Sequence, residues 1–294
     1  MKRTILLAAL AMLAAAPQWA EARAIGHPAI PAAVFTDPPA DKANPPRMEV
    51  LHIPSGGVEI NGVAYLAGGA GAHPTVVLLH GLPGNEKNLD LAQAIRRAGW
   101  NCVTFNYRGS WGSPGTFSFR GNLADTRAVL AYVRAPANAA KLQIDTAKLV
   151  LAGHSMGGGN TAVVAGGDPG LAGAVMISAA NLGLLALAPP AQRLATARDN
   201  METLAGVTAE SMAQEMSTMA DASFAKAAPG LAKMPLLVVT SDDGLAAMSD
   251  GLVGDLKKRG DTQVTAIHEA TDHSYSGKRI ALEAAVISWL QGLK

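Results

Sequence analysis

Ser155 stands between glycines in VLAGHSMGGGNTAVV, residues 150–164. Its hydroxyl would act as a nucleophile if the chain set it on a sharp turn beside a base. A serine hydroxyl attacks a carbonyl only when a base removes its proton and an acid orients that base, three groups that converge from distant parts of a chain. The Gly-x-Ser-x-Gly pattern alone is weak, because with 31 glycines in 294 residues it arises by accident with a probability of roughly 0.1 to 0.2. Its setting says more. KLVLAGHS, residues 148–155, is an apolar run suited to a buried strand, and the small-residue stretch after it can be helical. That strand, turn and helix are the context a nucleophilic serine needs. Gly153 and Gly157 fall where side chains would collide with such a turn, and Gly158 and Gly159 permit close packing behind it.

Two acids and two histidines compete for the other roles. After the apolar run PLLVVTSDD come Asp242 and Asp243, and in EATDHSYSGKR, before the last amphipathic segment, comes His273. Asp243 is favoured over Asp242 because it lies one step further from the strand, just before the turn residue Gly244. His273 is favoured over His268, which QVTAIHEA places within or at the end of the last strand. The order Ser, Asp, His then falls at the carboxyl ends of successive strands or in the loops that follow. An acyl-transfer site also needs donors for the developing oxyanion. In LLHGLPGNEKN, Gly81 and Gly84 would let the backbone N–H of Leu82 turn inward, with the N–H of Met156 as second donor.

The elements that must hold these groups alternate. TVVLLHG, NCVTFNYRG, KLVLAGHS, AGAVMISAA and PLLVVTSDD are short apolar runs suited to strands buried on both faces of a parallel sheet. Between them lie helical patterns over 86–99, 121–135, the stretch after Ser155, 249–260 and 279–292. Upstream, MEVLHIP and VEINGVAYLAG alternate around Gly56 and Gly57 as a hairpin does. The class is α/β, with one domain over 48–294. Residues 181–232, rich in Ala and Met, read as an inserted helical cap. Residues 25–47 carry six of the 17 prolines and read as an extended arm. At the start, Lys2 and Arg3 precede an apolar run of about 12 residues and small residues at Ala20, Ala22 and Ala24, which predicts a cleaved export signal over 1–24. A membrane span needs about 20. The expected compartment is periplasmic or secreted, with no stable membrane anchor after cleavage.

These motifs together, HGLPG (80–84), NYRGSWGSPG (106–115), GHSMGG (153–158), TSDDG (240–244) and TDHSYS (271–276), resemble the α/β-hydrolase fold family of serine hydrolases. The esterase and the prolyl-oligopeptidase-like or serine-aminopeptidase branches look nearest. The resemblance implies a mostly parallel eight-stranded sheet with helices on both faces, Ser155 as nucleophile, His273 as base and Asp243 as acid. The family's usual Gly-x-x-Asp approach to the acid reads Thr240-Ser241-Asp242-Asp243 here. A preceding propeller, and with it a full prolyl-oligopeptidase architecture, is not expected. A serine at the turn argues against the dehalogenase and epoxide-hydrolase branches, which place an aspartate there.

Partners follow from charge and surface. The formal charge of +1 falls to zero or −1 once the signal is removed, and only Lys257-Lys258-Arg259 forms a basic run, so nucleic acid is not an expected partner. Neither a His-Glu-x-x-His motif nor a Cys/His cluster is present, and no metal or cofactor is called for. Cys102 is the only cysteine, so an intramolecular disulfide is ruled out. Expected substrates are small acyl esters or short peptides, esters being favoured. Trp111 and Phe117, with Phe119 nearby, are candidates to bind the acyl group. Met212, Met216 and Met219 at helical spacing read first as helix packing. Glu202, Glu210, Glu215 and Asp221 could meet a substrate amine but equally make a solvated face. A binding protein on a hydrolase scaffold is the alternative of a different class.

Overall fold

Strands without a polar face form the centre of the sheet. A computed structural model describes residues 30–261 and 263–293; the segment read as an export signal lies outside them. In chain order the strands are β1 (Arg47–Ser55), β2 (Val58–Leu66), β3 (His73–Leu79), β4 (Asn101–Phe105), β5 (Ile144–His154), β6 (Gly173–Ile177), β7 (Leu236–Ser241) and β8 (Val264–Glu269). Every residue of β6 and β7 is buried, as in a parallel sheet covered on both sides. β1 and β2 alternate toward their hairpin, turning through Gly56 and Gly57 at φ 57° and 84°, values that a tight two-residue turn requires. The eight strands lie in the order β1-β2-β4-β3-β5-β6-β7-β8, antiparallel at β1 and β2 and parallel from β4 to β8. This is the mostly parallel eight-stranded sheet that the resemblance implies.

The helices are α1 (Leu89–Arg97), α2 (Phe119–Arg134), α3 (Pro136–Lys141), α4 (Met156–Ala165), α5 (Leu182–Leu185), α6 (Pro190–Arg198), α7 (Ala209–Ser217), α8 (Phe224–Leu231), α9 (Ala246–Lys258) and α10 (Arg279–Gly292). Leu91 and Ile95 of α1 and Leu282, Val286 and Leu290 of α10 bury one face of the sheet, while α2, α4, α8 and α9 cover the other. Two helix starts differ from the periodicity for local reasons. α1 begins later than residue 86 because Glu86 accepts from the N–H of Asn88, which sits at φ 55°, outside the helix. α2 begins earlier than 121 because the Ser118 hydroxyl accepts from the Gly121 N–H and caps the helix.

β4 lies on one side of β3 and β5 on the other. The chain leaves β3 toward α1 on one face and β5 toward α4 on the opposite face, which opens a crevice at their carboxyl ends, the place where open α/β sheets bind ligands. The loop after β4 is pinned by the buried Asp125, which accepts from the Arg108 Nε and N–H at 2.6 and 2.9 Å and from the Ser55 hydroxyl. Between β6 and β7 run α5 to α8, and Met212, Met216 and Met219 are buried there as packing residues. Upstream of β1, a 3-10 turn at Ala32–Val34 lies against α1, where Arg97 donates to the carbonyls of Ala33 and Val34 at 2.6 and 2.9 Å. Among the described residues no helix is long and apolar enough to cross a membrane.

Candidate active site

Ser155 joins β5 to α4 with φ 58° and ψ −121°, a backbone conformation that L-residues rarely adopt. The turn is held from both sides: the Ser155 N–H donates to Ile177 at 2.9 Å, and its carbonyl accepts from Ala180 at 2.9 Å and Gly159 at 3.1 Å. A Cβ on Gly153 would press into the Gly157 carbonyl, and one on Gly157 would come 2.6 Å from the carbonyls of Leu79 and His80. Gly158 packs on Ala179 and Gly159 on the Ala180 carbonyl. The glycines around Ser155 therefore answer to close backbone approach and leave the strained φ to the serine itself.

Gly81 faces the serine directly, since a Cβ there would lie 2.8 Å from Ser155 Cβ and 3.3 Å from its Oγ. Leu82 follows it in the loop after β3, and Met156 is the first residue of α4, where backbone N–H groups have no partner within the helix. The loop is braced from outside. The Pro83 carbonyl accepts from Trp111 Nε1 at 2.7 Å and from the Thr203 hydroxyl at 3.1 Å, and the Trp111 ring carries the Lys87 ammonium 4.2 Å from its centroid. His80 donates through Nδ1 to the Gly81 carbonyl at 2.8 Å, and burial pulls its pKa down to about 4, so it is a neutral part of the wall.

Asp243 follows β7 and His273 lies between β8 and α10. His273 Nδ1 donates to Asp243 Oδ2 at 2.7 Å, and the Asp243 side chain is 2% exposed. Burial alone would raise this carboxyl. Hydrogen bonds from His273, from the Leu245 N–H at 2.8 Å and from Ser178 outweigh it and hold the group well below the usual carboxylate range. The rival residues form a pair of their own: His268 Nε2 meets Asp242 Oδ1 at 3.1 Å at the exposed end of β8, with the Thr240 hydroxyl 3.0 Å from His268 Nδ1. Asp242 reaches the site only through its backbone, whose N–H donates to the Thr271 carbonyl at 3.0 Å.

Phe117, expected beside Trp111 on a pocket wall, is core: it is 1% exposed and meets the Phe119 ring edge-on at 5.3 Å, because its backbone N–H is drawn to the Ala205 carbonyl. Of the four cap acids, Glu202 is exposed and the other three are engaged with protein. Glu215 accepts from the N–H groups of Phe119 and Arg120 at 3.0 Å each, Asp221 pairs with Arg120 and Glu210 with Arg198. Four residues that the sequence reading passed over shape the site. Ser178 bridges Ser241 at 2.8 Å and Tyr275 at 3.0 Å beneath Asp243, and His154 donates to the His273 carbonyl at 2.8 Å. Tyr275 stands inside the DHSYS stretch, and Ser178 and Ser241 end or follow apolar runs; a polar residue closing a buried strand is the signal they offered.

A mostly parallel sheet with a strained serine at its central crevice and a histidine bonded to a buried aspartate in the loops after its last two strands defines the α/β-hydrolase class. The family model for the alpha/beta hydrolase fold matches residues 74–260, and the chain belongs to that family. Among solved structures it is similar to an esterase of Pyrobaculum calidifontis (20% identity, TM-score 0.60, covering 86% of this chain and 88% of that one). It is also similar to the thermophilic carboxylesterase EstE1 cloned from a metagenomic library (23%, TM-score 0.61, 89% and 92%). A Pyrococcus horikoshii acylaminoacyl peptidase shares the fold at 17% identity and TM-score 0.62, covering 85% of this chain and 42% of that one. The uncharacterized protein YfhR of Salmonella typhi is 36% identical over 93 residues, a match that spans 31% of this chain and 30% of that protein.

Proposed function

We propose that this protein is a serine hydrolase that cleaves small carboxylic esters through an acyl-enzyme, and that residues 1–24 direct it out of the cytoplasm. The observation that carries the reading is the His273–Asp243 bond of 2.7 Å to a carboxylate that is 2% exposed, at the carboxyl edge of the sheet that also carries Ser155 on its strained turn. With Nδ1 committed to Asp243, Nε2 of His273 is the nitrogen left to accept a proton. Ser155 Oγ attacks the carbonyl carbon as His273 takes its proton. The oxyanion gathers on the N–H groups of Leu82 and Met156, and the tetrahedral intermediate collapses as His273 protonates the departing alcohol. Water, deprotonated by the same imidazole, then releases the acid. Helices α5 to α8 serve as a cap over this edge, and Trp111 is the aromatic group at the loop beside it.

Esters are favoured over peptides with a free amino terminus because three of the four cap acids, Glu210, Glu215 and Asp221, already hold Arg198, the α2 N-terminus and Arg120, which leaves the exposed Glu202 alone to meet an amine. The full-length protein and its Ser155→Ala variant should be compared on p-nitrophenyl esters of short, medium and long acyl chains and on amino-acyl p-nitroanilides. The expected result is ester turnover that falls on the order of 10³-fold or more in the variant while its circular dichroism is unchanged. Anilide turnover with a free-amine preference would move the protein to the peptidases. A folded protein silent on both panels would favour a binding scaffold.

A further inference from the structure

We propose that His154, the residue immediately before the nucleophile, is a positioning residue that locks the base loop to the nucleophile turn. The inference rests on the serine-hydrolase reading above and goes one step beyond it. The acid and base segments are joined twice, through His273 Nδ1 to Asp243 and through the Asp242 N–H to the Thr271 carbonyl. Between the nucleophile turn, residues 153–157, and the base loop, residues 270–278, the hydrogen bond found among the described residues is that of His154 Nε2 to the His273 carbonyl, 2.8 Å across 119 positions of sequence. It is the direct link; the other route is indirect, through Ser178, whose neighbours Ile177 and Ala180 hold the Ser155 backbone and whose hydroxyl meets Tyr275 of the base loop at 3.0 Å.

The side chain that makes this bond also supports the imidazole itself. The rings of His154 and His273 are 4.5 Å apart at 40°, so the base rests against a flat neighbour that limits its rotation about the Asp243 bond. His154 is 3% exposed. Its ring must be uncharged to hold this place, because His273 becomes cationic each time it accepts the Ser155 proton. The groups that act on it are His273 and Asp243 from the two loops and Arg279 at the start of α10. Burial, assisted by His273 and Arg279 and opposed by the backbone bond and Asp243, brings its pKa down to about 4. Since the carbonyl accepts, the proton sits on Nε2 of the neutral ring, and Nδ1 is buried without a partner.

Two replacements separate the bond from the ring. His154→Phe keeps a flat ring and removes the donor; His154→Gln keeps an N–H donor and removes the ring. Measurements are kcat and KM on the best p-nitrophenyl ester, the rate at which an organophosphonate labels Ser155, and the urea midpoint. His154→Phe is expected to lower kcat about tenfold or more with KM within twofold, to slow Ser155 labelling in step, and His154→Gln to recover most of both, since small misplacements of reacting groups cost this much. Wild-type kinetics in His154→Phe would overturn the proposal. So would His154→Gln as impaired as His154→Phe, or a loss of kcat that merely follows a lowered urea midpoint. Absence of turnover and labelling in the wild type would instead defeat the hydrolase reading, so the two failures are distinguishable.

Discussion

Two Asp–His pairs stand side by side at one edge of the sheet, Asp243 with His273 and Asp242 with His268. Their chemistry is the same and their acids are adjacent in sequence. Their surroundings differ. The Asp243 carboxylate is 2% exposed and accepts from His273 and from the Leu245 N–H, with His273 itself 39% exposed, whereas Asp242 and His268 are 64% and 50% exposed at the end of the outermost strand. His273 is joined to the nucleophile turn by His154, and His268 is joined to Thr240 of the neighbouring strand. An exposed ion pair contributes from nothing to about 1 kcal/mol and orients little. A buried, fully bonded carboxylate fixes both the tautomer and the direction of its histidine, which is what a general base needs. Burial of the acid and connection of its histidine, and not residue type, separate the proposed catalytic pair from a surface contact.

The comparison breaks most easily at the histidines. His273→Ala is expected to lower kcat/KM on the order of 10³-fold or more, and His268→Ala to change it less than about threefold, in ester assays run side by side. Equal losses, or the reverse order, would reassign the base. At the acids the gap should be smaller. Asp243→Asn leaves the site's shape but lets the imidazole adopt the wrong tautomer, with an expected loss of about 10²- to 10⁴-fold, against less than threefold for Asp242→Asn. A third substitution tests the nucleophile's own neighbour. Gly81→Ala places a methyl 2.8 Å from Ser155 Cβ and 3.3 Å from its Oγ. It should cost roughly 10- to 100-fold in kcat with the thermal midpoint little changed, while full activity would show that the loop after β3 can retreat from the serine.

Much of this arrangement was legible before any coordinates. Apolar runs too uniform for one-sided burial pointed to parallel strands, and the glycines flanking Ser155 pointed to a turn crowded by backbone, as Gly157 against Leu79 and His80 bears out. What one sequence did not show were side chains whose partners lie more than 60 positions away. Ser178 meets Ser241 and Tyr275, and His154 meets His273, across separations of 63, 97 and 119 residues. Phe117 was misplaced for a related reason. An aromatic residue in a Gly- and Ser-rich loop looks like a pocket wall until the loop is seen folded against Ala205 and Phe119. Local pattern carries the elements; the second layer around the site comes from topology.

The smallest expected effect concerns stability, and it sharpens the same contrast without any substrate. Burial raises the Asp243 carboxyl, but the bonds from His273, Leu245 and Ser178 more than offset it, so its pKa in the folded protein lies below that of the unfolded chain, about 3.9. A group with a depressed folded pKa adds stability that is fully present above the unfolded value and is lost as pH falls through the folded one. Urea midpoints of the wild type and Asp243→Asn should therefore differ most at pH 6 to 7 and draw together as the pH falls below about 4, with the wild type losing the larger share. The amide cannot ionise and has no such dependence to lose. A difference that stays constant from pH 7 to pH 3 would mean that Asp243 contributes packing alone, and the Asp243–His273 pair would then be no better anchored by charge than the exposed one beside it.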